Sequence, residues 1–358
     1  MKFKVIENNC SLFSYNTAKD IINVCLQNGD QLTDDMDEVN YILNFTTFEN
    51  PRAVRRRSKS VFVVSVVADG EHLKDDLRSI CYTTLIRTLS NQFVFINQMN
   101  EVWFTTPEAG FYSGYYDPSE IYRKILPVIS AHFATDNKFH PDLPQRFYNE
   151  SETVREIRHY GKVLDELGVL PVPFPLKDYL SEQQMNHIYK IFGITGASYG
   201  NLSAREYIPE FGTTAFWMTG RGVNKSDLKE VGRDILLVKD FNVPEGIAYL
   251  SMPVNYYSKA RVSVDAIEHY LIYRNFPEVK AIVHVHAWIE GVISTEQNFP
   301  CGTRELAEEV VSLLEKTEDP ASAEIGLVNH GLTITGHSLR EIFERITGKL
   351  VTQVVMSA

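Results

Sequence analysis

The chain has 358 residues, 44% of them hydrophobic, which is more length than one core ordinarily serves, so two domains are expected. A formal net charge of −11 excludes non-specific binding to nucleic acid, which draws its affinity from cations displacing counterions at phosphates. The four cysteines, Cys10, Cys25, Cys81 and Cys301, are scattered without a C-x-x-C pair, which suggests neither a zinc knuckle nor a disulfide framework and fits a reducing compartment.

Met1 to Asn9 turns polar before any apolar run develops, and no later stretch reaches membrane-spanning length; a soluble, unprocessed, cytoplasmic protein is expected, without a membrane partner. Residues 1–145 read as a separate N-terminal mixed α/β domain. Its expected strands are Phe3–Glu7, Val39–Phe45, Ser60–Val67, Phe93–Asn97 and Glu101–Thr105, short and rich in β-branched or aromatic residues. Helical spacing runs through Thr17–Leu26, His72–Ser90 and Pro118–His132. The basic cluster Arg52 to Lys59 follows the turn signal Asn50-Pro51. It reads as a solvated loop, with an anion clamp as the alternative.

Residues 146–180 read as a connector. A helix is expected over Glu152–Leu167 with Gly168 at its C-terminal cap, then an extended segment where Pro171, Pro173 and Pro175 alternate. Residues 181–358 form the second domain, opening with a helix from Ser181 towards Phe192. The glycine-rich run from Gly193 to Arg205 includes Ser198, Gly200, Asn201 and Ser203, and can turn tightly or cradle an oxyanion. It matches neither G-x-G-x-x-G nor a Walker loop. A second turn, Thr219-Gly220-Arg221-Gly222-Val223, offers a guanidinium suited to carboxylate or phosphate.

Ser263 to Phe276 reads as a helix with Ser263 at its N-cap and Pro277 as its stop, placing Asp265 in the first turn with His269 on the same face. There the carboxylate could serve as metal ligand or general base, or simply stabilise the helix dipole. In the strand Ala281–Ala287, His284 and His286 leave one face while Val283 and Val285 leave the other. Two imidazoles so spaced suit one transition ion. His330, in Asn329-His330-Gly331 between two apolar strand-like runs, can supply a third. Ser338 to Glu341 reads as a capping box opening the last helix.

Taken together, Gly200-Asn201-Leu202-Ser203, Thr219 to Gly222, Ser263-Val264-Asp265 with His269, Val283 to Ala287 and Asn329 to Leu332 resemble the class II aldolase/adducin-head family over residues 180–355. The N-terminal half lies outside the resemblance. The family implies a layered domain with a central, largely antiparallel sheet flanked by helices, and a homo-oligomer, commonly a tetramer with sites at subunit interfaces. It implies His284, His286 and His330 as ligands of a divalent metal, zinc above all, with manganese, iron or cobalt as alternatives. Asp265 stands at the family's acidic position, glutamate in the aldolases and aspartate in the epimerases. Ser198, Gly200, Asn201, Gly222 and Ser263 match positions that hold the substrate phosphate.

Two departures bear on the chemistry. Arg221 replaces a small hydroxyl residue at the anion site, and Val264 replaces the second serine of the Ser-Ser-acid pattern. No counterpart of the family's tail tyrosine is identifiable. The resemblance implies retro-aldol or related enediolate chemistry on a small phosphorylated or carboxylated sugar. Epimerase, decarboxylase and dehydratase chemistry are the alternatives within the family, and a non-catalytic adducin-like interaction module is the alternative outside enzymology.

Overall fold

Strand β4 (Phe62–Asp69) is almost continuously apolar and buried along its whole length but for its last residue, the pattern of a parallel strand covered on both faces. Phe62, Val64 and Val66 enter one core while Val67, on the opposite face, enters another. The computed structural model describes residues 1–8, 11–69, 76–170, 181–183, 185–186, 198–256 and 259–357. The alternating prolines, most of the helix expected from Ser181, residues 193–197 of the glycine-rich run and the start of the helix expected from His72 lie outside the described residues.

Around β4 stand β1 (Lys2–Ile6), β2 (Gln31–Leu32), β3 (Tyr41–Phe45), β5 (Gln92–Asn97), β6 (Glu101–Thr105) and β7 (Phe111–Tyr115). Their order is β2-β1-β3-β4-β5-β6-β7. The pairings up to β5 are parallel, and β6 and β7 close the sheet as an antiparallel hairpin. Helices α1 (Leu12–Gln27) and α3 (Pro118–Ile129) pack on one face and α2 (Leu77–Thr88) on the other. Each start is capped locally: Ser11 accepts from Ser14 N at 3.0 Å, and Asp117 from Ser119 N at 2.9 Å. The basic cluster is tied down in part: Arg56 donates to Val61 O and Asn91 Oδ1, Arg57 meets Asp37 at 3.3 Å, and Lys59 pairs with Asp136.

The second sheet comprises β8 (Asp136–His140), β9 (Asn201–Ile208), β10 (Thr213–Thr219), β11 (Ile235–Asn242), β12 (Ile247–Ser251), β13 (Ala281–Val285), β14 (Ile293–Ser294), β15 (Glu324–Leu327) and β16 (Gly331–Gly336). Its order is β14-β15-β16-β13-β9-β10-β11-β12-β8. The interior pairings are antiparallel, as expected, but both edges are parallel: β14 on β15 and β8 on β12. Strand β8 falls within the 1–145 stretch expected to form its own domain, yet by pairing it belongs here. Its sequence, Asp-Asn-Lys-Phe-His, carries little β propensity; the pairing with β12 imposes the conformation.

Period-2 alternation sorts this sheet into two cores. Phe216, Met218, Leu236, Val238 and Ile282 face α5 (Ala266–Asn275) and α6 (Arg304–Leu314). Trp217, Leu237, Ala281, Val283 and Val285 face α4 (Glu152–Glu166) and α7 (Leu339–Ile346). The result is a sheet with helices on both faces. Among the described residues, no helix is long and apolar enough to cross a membrane.

Candidate metal and catalytic site

Strand β13 runs in the middle of the second sheet, with His284 opposite Asn201 on β9 and Thr333 on β16. Val283, Val285 and Ala287 take the α4/α7 core, so His284 and His286 are left on the other side, as the alternation requires. His330 reaches them from the turn before β16, where Asn329 adopts φ +59°. That close return depends on Gly331, at which a Cβ would lie 2.2 Å from Val285 O. Gly200 serves likewise beside β13: its φ is +74°, and a Cβ there would meet His284 O at 2.5 Å.

The three imidazoles converge. Their nitrogen atoms lie within 4.8 Å of one another, the one group among the described residues arranged to hold a metal ion. Ring centroids stand 4.8 to 5.1 Å apart. His284 Nδ1 is 3.0 Å from Leu332 O; a carbonyl there demands N–H on Nδ1 and leaves the Nε2 lone pair for a ligand. Both ring nitrogens of buried His330 lack a hydrogen-bond partner among the described residues, an arrangement that a metal bond would satisfy. His286 stacks on Tyr199 with centroids 4.4 Å apart. Burial pushes the pKa of each below the ordinary histidine value, with the neighbouring imidazoles adding to the shift at His286 and His330. The neutral form, which coordinates metals, is thereby favoured. The donor set fits a divalent transition ion of the zinc type.

Asp265 is buried at the head of α5. The structure makes it the N-cap residue itself, in place of Ser263, and its carboxylate does not cap. Instead Oδ2 accepts from Asn201 Nδ2 at 2.7 Å. Ser263 supports the turn through its backbone, with N bonded to Thr219 O and O to Ala266 N. His269 lies beneath the site, its Nδ1 2.7 Å from Ser203 Oγ, which is also 2.7 Å from Tyr273 OH.

The other residues expected at the anion site have the following settings. Ser198 is buried, its Oγ without a partner among the described residues. Arg221 Nη2 donates to Thr135 O at 3.2 Å; burial lowers its pKa, and Cys301, Arg261 and Asp265 are within electrostatic reach. Gly222 takes φ +67°.

Several site residues carried no motif. Lys225 is buried, donates to Ser198 O at 2.8 Å, and has its pKa lowered to about 7 by burial. Glu268 accepts from Thr333 Oγ1 at 2.6 Å and is pushed up to about 8 by burial and then by Asp265. A cavity of about 480 Å³ opens over His286 and His330, walled in part by Arg78, Glu108, Ala109 and Tyr199. Glu268 could have been noticed as an ionisable residue inside the apolar run Ala266 to Ile272, whereas Lys225 sits in a polar loop sequence. Arg78 and Glu108 belong to the other half of the chain and gave no local signal.

Residues 183–298 match the family model for the class II aldolase and adducin N-terminal domain. Among solved structures the chain is similar to an L-fuculose 1-phosphate aldolase, at 18% identity over 56% of this chain and 82% of that one, with a TM-score of 0.37. It is also similar to YgbL of Escherichia coli, a candidate aldolase/epimerase/decarboxylase, at 19% identity over 46% and 79%, TM-score 0.30. An aldolase II superfamily protein of Pseudomonas syringae aligns at 15% identity over 48% and 75%, TM-score 0.31. No curated protein matches the chain.

Proposed function

We propose that this chain, whose residues 183–298 belong to the class II aldolase and adducin N-terminal domain family, is a divalent-metal-dependent lyase that cleaves a small phosphorylated or carboxylated sugar by retro-aldol or related enediolate chemistry. The observation that carries the reading is the convergence of His284, His286 and His330 on one point, with buried ring nitrogens of His330 unpartnered among the described residues. A divalent ion held by them, zinc first and manganese, iron or cobalt as alternatives, would act as a Lewis acid towards a substrate carbonyl and so lower the cost of carbanion character beside it.

The chain's own groups do the rest. Asp265, held by Asn201, is the candidate general base and acid: its carboxylate takes the proton from the substrate hydroxyl as the carbon–carbon bond breaks. Retention of that proton on a buried carboxyl lets it be returned to carbon. Ser198, Gly200, Asn201, Arg221, Gly222 and Ser263 are assigned to the anionic end of the substrate, with the Arg221 guanidinium favouring a planar carboxylate or a phosphate. The buried setting of Ser198 and Asp265 excludes water and strengthens these interactions. Epimerase, decarboxylase and dehydratase chemistry share the enediolate step and are the competing reactions. A homo-oligomer, with the tetramer as its family form, and a cytoplasmic location belong to the same proposal.

An adducin-like interaction module without catalysis is the contrasting reading, and the presence of histidine at all three expected ligand positions, His284, His286 and His330, weighs against it. Elemental analysis of untagged protein beside a His284→Ala/His286→Ala double variant tests the choice. About one ion per chain, lost in the variant, followed by cleavage of a phosphorylated or carboxylated sugar, supports the lyase. Absence of an ion after incubation with zinc, manganese, iron or cobalt would favour the module.

A further inference from the structure

The turn between β6 and β7, residues 106–110, leaves the first sheet and lies against the histidines. Pro107 O accepts from both Tyr82 OH and Tyr199 OH at 3.1 Å, the two hydroxyls being 2.8 Å apart. Tyr199 is the ring stacked on His286. Arg78 Nη2 donates to Ala109 O at 3.1 Å. Gly110 approaches so closely that a Cβ would lie 2.6 Å from the carbonyl oxygen of Asn329, the residue before His330. These contacts tie the turn to both the His286 and the His330 sides of the cluster.

Within the turn, Glu108 Oε1 accepts from Cys301 N at 3.2 Å and Glu108 lines the cavity over His286 and His330. Cys301 also reports on its surroundings: after burial, Glu108 and then Asp265 raise its thiol pKa well above the ordinary value. One thiol therefore lies within electrostatic reach of carboxylates from both halves of the chain.

We infer that the active site is completed from within the chain by the 106–110 turn, which delivers Glu108 as a second carboxylate facing the substrate position beside the histidines. The inference rests on the metal-site reading above and extends it to a half of the chain that carries no family motif. Glu108 has only acceptor atoms to offer as a carboxylate, so its role is to take a hydrogen bond from a substrate hydroxyl. The substrate it selects is a hydroxylated compound, and a bare anion at the same place is repelled.

The test uses full-length protein loaded with cobalt, azide as an anionic probe of the metal's open position, and the cobalt visible absorption as readout. Wild type and Glu108→Gln should each hold about one cobalt per chain. Removing a like charge beside the open position should tighten azide binding about 10-fold, the order of effect of one unit charge in a partly screened site. Glu318→Gln, an exposed control, should leave the affinity unchanged. Glu108→Ala carries the same comparison should the glutamine variant fold poorly. Failure of wild type to bind cobalt overturns the metal reading and this inference with it. Cobalt bound in both proteins, with equal azide affinity or no azide response in either, overturns the placement of Glu108 alone.

Discussion

Asn201 holds Asp265 side chain to side chain, Nδ2 to Oδ2 at 2.7 Å, while its backbone pairs opposite His284. One asparagine therefore fixes the acidic residue relative to the strand that bears two of the histidines. A hydrogen bond to a buried charged group typically contributes about 2 kcal/mol. Asn201→Ala should lower unfolding free energy by about that amount, read from urea denaturation.

Asp265→Asn keeps the shape and removes the proton-accepting charge. Metal content should stay at the wild-type level while turnover falls about 100-fold or more, the usual contribution of a positioned general base. Unchanged turnover on a substrate cleaved by the wild type would remove Asp265 from the chemistry.

His286→Ala takes away one of three candidate ligands. Loss of an outer residue that merely orients a ligand already costs about 10- to 100-fold in metal affinity, so loss of the imidazole should cost at least about 100-fold. Competition with a chromophoric chelator gives the number, and an affinity equal to wild type would place the ion elsewhere.

Glu268 predicts a pH dependence of stability. Its folded pKa is raised from 4.5 to about 8, by burial first and Asp265 next. Between those values the folded state holds a proton that the unfolded chain releases, so this group's contribution is complete below about 4.5 and is lost as pH rises through 8. Wild type should lose stability across that window by a few kcal/mol from this group. Glu268→Gln should flatten the slope in melts run at pH 5, 6, 7 and 8; parallel slopes would refute it.

Gly331→Ala tests the close return of β16 to β13. With Val285 O at 2.2 Å from the added Cβ, the backbones must part, at a cost of about 1–3 kcal/mol as for other overpacked sites. His330 would move with the turn, so weaker metal binding should accompany the lower melting temperature.

What sequence could show was what spacing encodes. His284 and His286 share a face because strand side chains alternate, and the helix expected from Pro118 begins there. Asp265 was located, but Ser263 was read as the N-cap because a hydroxyl before an apolar helix is the common signal. Here Asn201 binds the carboxylate of Asp265, and no local pattern records a partner so distant. The same limit hid Glu108, Lys225 and strand β8. Each acquires its meaning from a segment far along the chain: Cys301, Ser198 and Ile247–Ser251 respectively.

Strand β8 also bears on how the chain assembles during synthesis. Residues 136–140 leave the ribosome well before their partner, Ile247–Ser251, exists. The edge they will cover cannot form until β12 has been made, and closing so long a loop is slow compared with local helix formation. In the interval the segment must remain unpaired, and Asp136, Asn137 and Lys138 at its head keep it poorly suited to adhere to other strands. A fragment starting at residue 146 would leave β12 as a bare edge and should aggregate where the full-length chain does not.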